Sequence, residues 1–404
     1  MNLIALAEKL AGGEQAPATF AVGRCLYSGD KFSRCTACFD VCPAGAIEPG
    51  QPPEFDAAAC HGCLACLPVC PTGAYAMEDE LSDLLRCLTR LSIDTLELVC
   101  QHHPAPTIGL SMGAAAIQVR GCLAGLGAAS YLQLATRPIR RVVARTDACD
   151  GCPWHSLQEA VRKQIAEAQQ WLSVWQRADF VEELAELRNG VKRPVHRADT
   201  PPVSRRDLFR GRVQEPPPVD VTSSLHPFHR RLRTLSALRQ LADDNRDPGA
   251  IWPPASALAD SSFATLSISE ACSACGTCVR ACPSGALTLE KDDDKQRFQL
   301  SCSVQACLAC DACAHICPEQ AITVNHEAAA EQILAASPET TLYEDALAKC
   351  SRCTGYFAAR SMQDGLCSVC AFRRKNPFIS RMPPHLAALD ASGLSQAAAS
   401  GDNR

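Results

Sequence analysis

Cys272-Ser-Ala-Cys275-Gly-Thr-Cys278-Val-Arg-Ala-Cys282-Pro283 is followed by Cys307-Leu-Ala-Cys310-Asp-Ala-Cys313-Ala-His-Ile-Cys317-Pro318, two copies of Cys-x2-Cys-x2-Cys-x3-Cys-Pro. A third copy, Cys60, Cys63, Cys66, Cys70 and Pro71, lies about 200 residues earlier, and a stretched fourth reads Cys25, then Cys35, Cys38, Cys42 and Pro43. Sixteen of the 26 cysteines thus fall into one pattern arranged as two pairs. Three thiolates two residues apart on a tight loop wrap three iron corners of a cubane cluster. After three more residues the chain has entered a short helix, so the fourth thiolate points away and serves the partner cluster. The proline and the residues behind it, as in Pro43-Ala-Gly-Ala46, then turn the chain into a strand. Crossing the fourth ligands predicts four sites: Cys25, Cys35, Cys38 with Cys70; Cys60, Cys63, Cys66 with Cys42; Cys272, Cys275, Cys278 with Cys317; and Cys307, Cys310, Cys313 with Cys282.

Each pair resembles a bacterial-type ferredoxin with two 4Fe-4S clusters, over residues 20–80 and 263–326. The resemblance implies four 4Fe-4S clusters in all. The departure is the nine-residue gap between Cys25 and Cys35, which leaves either Cys25 as a ligand or a three-cysteine first cluster. A disulfide scaffold is a poor alternative, because such scaffolds belong to short secreted chains and not to 404 residues with four repeats at metal-ligand spacing. Covalent haem fails too, since no Cys-x2-Cys pair is followed by His.

A chain of this length with 47% hydrophobic residues should hold two to four domains. Aromatic residues make up only 5%, as expected where clusters occupy the centres of small folds. The net charge of −5 implies no long-range attraction to nucleic acid. Met1 to Leu10 carries Glu8 and Lys9 and reads as a short amphipathic helix, not a secretory signal. No window approaches 18 uninterrupted apolar residues, so no transmembrane segment is expected, and exposed thiolate chemistry points to a reducing cytoplasm.

Between the two pairs, strand-like runs alternate with helical ones. Thr95-Leu-Glu-Leu-Val leads into Cys100, Ala116-Ile-Gln-Val-Arg-Gly into Cys122, and Arg141-Val-Val-Ala-Arg-Thr-Asp-Ala into Cys149, with Cys152 three residues on. Helical patterns cover Leu123 to Thr136 and His155 to Gln176. Strand-helix alternation predicts a parallel sheet, whose carboxyl edge would gather the four thiols. They would hold a 2Fe-2S cluster or a zinc ion. Two other readings stand: small apolar residues at strand ends, or a thioredoxin-like dithiol using Cys149 and Cys152 beside Pro153 and Trp154. The region is similar to the iron-sulfur delta subunits of hydrogenase and heterodisulfide reductase complexes, which implies the 2Fe-2S cluster. His102 and His103, beside Cys100, read as exposed, with metal ligation as the alternative.

From Gly190 to Pro254, Arg and Pro alternate, which predicts a tether with little core of its own. Within it, His226 to Asp243 has a helical pattern, read as solvated charge or, in the alternative, as a helix that docks on a partner. Ser204-Arg-Arg-Asp-Leu-Phe209 mimics a twin-arginine signal but has no apolar run behind it. Near the end, Cys350-x2-Cys353 and Cys367-x2-Cys370, separated by 13 residues, predict a zinc-ribbon-like site holding one zinc ion, with a rubredoxin-like iron as the alternative. Leu386 to Arg404 reads as a mobile tail. Cys87 and Cys302 are left over, the former as helix packing and the latter as a spare or alternative ligand.

The expected fold is therefore α+β and multidomain. Its parts are a two-cluster ferredoxin-like domain (residues 1–80), a small α/β domain with the four-cysteine site (81–186), an Arg/Pro-rich linker (187–262), a second ferredoxin-like domain (263–340), and a zinc-ribbon-like domain with its tail (341–404). The sequence has no Gly-x-Gly-x2-Gly fingerprint after a strand and no phosphate loop. The expected function is electron transfer, as the relay subunit of a cytoplasmic multi-subunit oxidoreductase such as a formate dehydrogenase, hydrogenase or heterodisulfide reductase complex. Its partners would be a catalytic redox subunit and a second electron carrier in a hetero-oligomer, with no nucleic acid. The alternative is a ferredoxin-type accessory factor that matures a molybdenum or iron-sulfur enzyme.

Overall fold

The computed structural model describes residues 18–29, 33–77, 80–200, 221–223, 225–245, 258–259, 262–336 and 339–378. The expected N-terminal helix, the twin-arginine mimic and the tail from 386 lie outside them. The chain divides into two compact units, one of residues 1–25 and 36–253, the other of residues 26–35 and 254–404.

In the first unit, the runs that alternate with helices form a five-stranded sheet in the order Val195–Arg197, Ala114–Gln118, Thr95–Val99, Arg141–Arg145, Val181–Leu184. Every neighbouring pair is parallel. The three central strands are buried almost throughout, as parallel strands covered on both faces must be. Helix Gln158–Ser173 lays Val161, Ile165, Ala168, Trp171 and Leu172 inward at helical spacing. Helix Ala128–Ala135 is buried at all eight positions, because a second layer covers it: helix His229–Asp244, whose Thr234, Ala237, Leu238, Leu241 and Ala242 recur every three or four residues. Gln133 ties the two by donating to the Arg233 carbonyl and to Ser236 Oγ, both at 2.8 Å.

The expected linker is thus only partly a tether. Val195–Arg197 completes an edge of the parallel sheet, and the Arg-rich helix is docked, not solvated, with Arg231 and Arg233 themselves buried. Its apolar stripe is short and interrupted by arginines, which is why composition concealed it.

Also in this unit, Thr19–Phe20 pairs antiparallel with Tyr75–Ala76, and Ile47–Glu48 with Glu54–Phe55. They enclose a core of Cys38, Ile47, Leu64, Leu67, Cys70, Ala74 and Tyr75. Phe20 stacks on Tyr75 at 4.7 Å between ring centroids.

In the second unit, Thr265–Ile268 pairs antiparallel with Ile322–Asn325. The hairpin Leu287–Asp292 and Arg297–Ser303 extends between the two cysteine motifs and continues into Glu339–Lys349 and Tyr356–Ala358 as one four-stranded antiparallel sheet. The boundary expected at 340/341 therefore falls inside a strand. The C-terminal cysteines are not a separate appendage, since Ala358 donates to the Ser273 carbonyl of the first cysteine loop at 3.1 Å.

Candidate metal centres

The three uninterrupted cysteine loops share one backbone signature. The second and fourth residues after the first cysteine are left-handed in each: Gly62 and Leu64, Ala274 and Gly276, Ala309 and Asp311, with φ between 52° and 72°. Left-handed residues two apart turn the loop sharply, the kind of backbone in which N–H groups can gather into an anion-binding concavity suited to a thiolate-ligated cluster. Four of the six are not glycine, so the loops hold a conformation that costs roughly 1–2 kcal/mol at each such residue. The stretched first motif has no such pair between Cys35 and Cys42.

A short helix follows each set: Ala37–Asp40, Cys66–Val69, Thr277–Ala281 and Ala312–Ile316. At the fourth cysteine the chain leaves the helix, and its sulfur accepts the N–H four residues on: Ala74 to Cys70 and Ala286 to Cys282 at 3.2 Å, Ala321 to Cys317 at 3.3 Å. The turn closes on a left-handed residue in all four copies: Gly45, Gly73, Gly285 and Gln320.

The fourth cysteine of one motif sits with the first three of its partner. Cys282, Cys307, Cys310 and Cys313 line a single pocket. The Cys313 thiol is held well above its ordinary value by burial and then by Cys307, Cys310 and Cys282. Burial, then Cys275, Cys272 and Cys317, push Cys278 up to about 12. In the N-terminal pair, burial, then Cys63, Cys60 and Cys42, raise Cys66. Thiols in such surroundings keep their protons until a cation displaces them. For the stretched motif, Cys25 packs against the core that contains Cys38 and Cys70, while Cys35 belongs to the second compact unit. Cys302 is 1% exposed, and its thiol is held up by its hydrogen bond with Cys307. Cys87 is fully buried on helix Glu80–Leu88.

Cys100, Cys122, Cys149 and Cys152 follow the carboxyl ends of three adjacent parallel strands and line one pocket. Burial, then the Ala124 N–H working against it and the Cys100 thiolate reinforcing it, leaves Cys122 pushed up to about 12. This site touches the Cys60–Cys66 loop. Cys122 N–H donates to the Cys63 carbonyl at 3.2 Å, and Trp154 lies 5.2 Å from His102 and 5.9 Å from His61 between ring centroids. The approach requires glycine at 121, where a Cβ would stand 2.5 Å from the Gly62 carbonyl oxygen.

Beneath the pocket lies an ion network that the sequence reading missed. Glu97, fully buried in the central strand, accepts from Arg145 at 2.8 Å and from Arg193 at 2.7 and 3.0 Å, and Leu110 N–H donates to it at 2.9 Å. A Cβ at Gly109 would collide with both Arg193 and Glu97, at 2.1 and 2.6 Å. Arg145 also grips Asp147 through two bonds of 2.6 and 2.8 Å, and Asp147 in turn meets His103 Nε2 at 3.4 Å. His103 Nδ1 accepts the Ala105 N–H, so Nε2 carries the proton. His103, expected to be exposed, is 7% exposed, whereas His102 is on the surface. A lone Glu inside the run Thr-Leu-Glu-Leu-Val was the available signal, because a buried carboxylate needs a partner.

Burial alone would raise Glu97, but the bonds from Arg193, Leu110 and Arg145 overcome it and hold the carboxyl below its ordinary range. The stability it contributes is therefore present above the unfolded value of about 4.3 and lost as pH falls through the lower folded value. The unfolding midpoint of the wild type should exceed that of Glu97→Gln at pH 7, and the gap should narrow steadily toward pH 3. A gap independent of pH would contradict this.

At the C-terminal end, strand Glu339–Lys349 delivers Cys350, a turn through left-handed Thr354 returns the chain as Tyr356–Ala358, and Cys367 caps helix Ser368–Lys375. Among the described residues, Cys350, Cys353, Cys367 and Cys370 are the group of potential ligands whose donor atoms all lie within 4.8 Å of one another. Cys353 and Cys367 sulfurs stand 3.9 Å apart, close to the ~3.8 Å edge of a tetrahedron with metal–sulfur bonds of ~2.3 Å. The backbone N–H groups of Cys353 and Cys367 pull Cys350 down to about 6, which favours the thiolate.

Residues 271–321 match the family described as 4Fe-4S dicluster domain, and residues 53–76 match the 4Fe-4S binding domain. The chain therefore carries two 4Fe-4S ferredoxin-type domains, and these domains point to electron transfer. The N-terminal match begins after the stretched motif and leaves Cys25 to Cys42 outside it. No curated protein matches the chain. No helix among the described residues is long and apolar enough to cross a membrane.

Proposed function

We propose that this chain is the electron-relay subunit of a multi-subunit oxidoreductase such as a formate dehydrogenase, hydrogenase or heterodisulfide reductase complex, working in a reducing cytoplasm between a catalytic partner and a second carrier. The observation that carries the reading is the shared pocket of Cys282 with Cys307, Cys310 and Cys313, which supports the interlocked ligation of a pair of clusters. The ligand sets are the four crossed foursomes. When bound, cubane clusters supply one-electron steps with little rearrangement. The protein's part is to hold the thiolates, to aim backbone N–H groups at them and to keep water out.

The second compact unit would hold two clusters and a zinc ion at Cys350, Cys353, Cys367 and Cys370. The first would hold the cluster of Cys60, Cys63, Cys66 and Cys42, the stretched-motif ligands Cys25, Cys38 and Cys70, and a 2Fe-2S cluster at Cys100, Cys122, Cys149 and Cys152. Supporting the 2Fe-2S assignment, these four converge on one sheet edge without closing to the spacing of a single ion, and their loop is hydrogen-bonded to the Cys60–Cys66 loop. A dithiol oxidoreductase is disfavoured. It would use only Cys149 and Cys152, whereas Cys100 and Cys122 line the same pocket.

Anaerobic metal and sulfide analysis with low-temperature EPR tests the reading. About eighteen irons and one zinc are expected, against about sixteen if the sheet-edge site binds no cluster. Iron-free protein would end the proposal, and stable co-purification with a catalytic subunit would separate a relay from a maturation factor that binds transiently to an apo-enzyme.

A further inference from the structure

The docked helix His229–Asp244 is joined at its start to the turn that carries Cys70. Arg230 donates to the Cys70 carbonyl at 3.3 Å, across 160 residues of sequence. The His229 ring lies over Gly73, and Arg24 donates to the Gly73 carbonyl at 3.4 Å. Two guanidinium groups thus hold the same four-residue turn, Cys70 to Gly73, whose cysteine sulfur also accepts the Ala74 N–H. Ala128–Ala135 braces the helix from behind, so Arg230 is positioned by packing on one side and by the turn on the other. Nothing in the fold of a two-cluster unit calls for this helix, which comes from the Arg-rich segment beyond the parallel sheet.

We propose that Arg230 is a positioning residue that raises the reduction potential of the centre served by Cys70, making that centre easier to reduce than it would be without the guanidinium. The inference rests on the cluster reading above. A cluster gains one negative charge on reduction, and net charge and hydrogen bonding around its ligands are what set its potential. A guanidinium fixed on the ligand's own peptide stabilises the reduced form. Removing the charge disfavours reduction, so the midpoint moves down. Glu167 is close enough to act on the guanidinium and offset part of its charge, so the effect expected is at most on the order of tenfold in the reduction equilibrium, ~59 mV for one electron. Arg24, bound three residues from Cys70, should act in the same direction and more weakly.

The test is an EPR-monitored redox titration of the full chain, purified anaerobically, as wild type, Arg230→Gln, Arg230→Lys, Arg24→Gln and, as a control on the exposed side of the same helix, Arg239→Gln. Arg230→Gln should lower one midpoint and leave the others in place, Arg230→Lys should restore most of the shift, and Arg239→Gln should change nothing. Unchanged midpoints in Arg230→Gln with full iron content, or an equal shift of every centre, would overturn the inference. If Arg230→Gln loses iron, Arg24→Gln decides: a lowered midpoint at one centre supports the proposal and an unchanged one defeats it. Absence of iron from the wild type would instead remove the cluster reading itself.

Discussion

Cys282→Ala should damage the centre at Cys307, Cys310 and Cys313 and leave the one at Cys272, Cys275 and Cys278 intact, although Cys282 belongs to the second set in sequence. Cys282 lines the pocket of the first set, while Cys278 sits with Cys317. With one thiolate of four removed, that site should empty or fall to three irons, a loss of between about one and about four per chain. Location is read from pairs of substitutions, because effects at one site are not additive whereas effects at separate sites are. Cys282→Ala combined with Cys310→Ala should cost no more than one cluster. Combined with Cys275→Ala it should cost two. Iron content and the number of reduced EPR signals report the count, and the opposite pattern would mean that each motif serves its own loop.

The cysteine spacing made the two ferredoxin-type domains legible because ligand geometry is a short-range constraint written in consecutive residues. The same holds for the parallel sheet, whose strand-helix alternation is local, and for the knuckles at Cys350 and Cys367. What spacing could not convey is where the nine extra residues after Cys25 lead. Cys25 stays with Cys38 and Cys70, and the segment ending in Cys35 joins the other compact unit.

Two further features were hidden for a different reason. Arg193 and Arg230 stand in a stretch rich in Arg and Pro, and composition assigns such a stretch to solvent. The placement of such an arginine depends on a partner far away in sequence: Glu97 at a separation of 96 residues for one, the Cys70 carbonyl at 160 for the other. Periodicity cannot register a pair of that kind. The partner side was readable, since Glu97 interrupts an apolar strand, but the identity of the cation was not.

Glu97→Ala should destabilise the first compact unit by about 3–5 kcal/mol, the cost of leaving buried charges without their counter-ion. Two fully buried guanidinium groups, Arg145 and Arg193, would face an empty space, each retaining only its carbonyl partner and, for Arg145, Asp147. Glu97→Gln keeps the volume and some of the hydrogen bonds, so it should cost less. The consequence reaches the sheet edge, because Arg145 holds Asp147 and Asp147 holds His103, in the loops that carry Cys149 and Cys100. Glu97→Ala should therefore lose metal from the four-cysteine site before it loses any from the second unit, where the four-stranded sheet and the two ferredoxin motifs make no use of this network. Denaturant unfolding followed together with iron release measures both effects. Equal stability of Glu97→Ala and wild type would show that the two arginines find other partners, and loss of iron from both units at once would show that the damage is global.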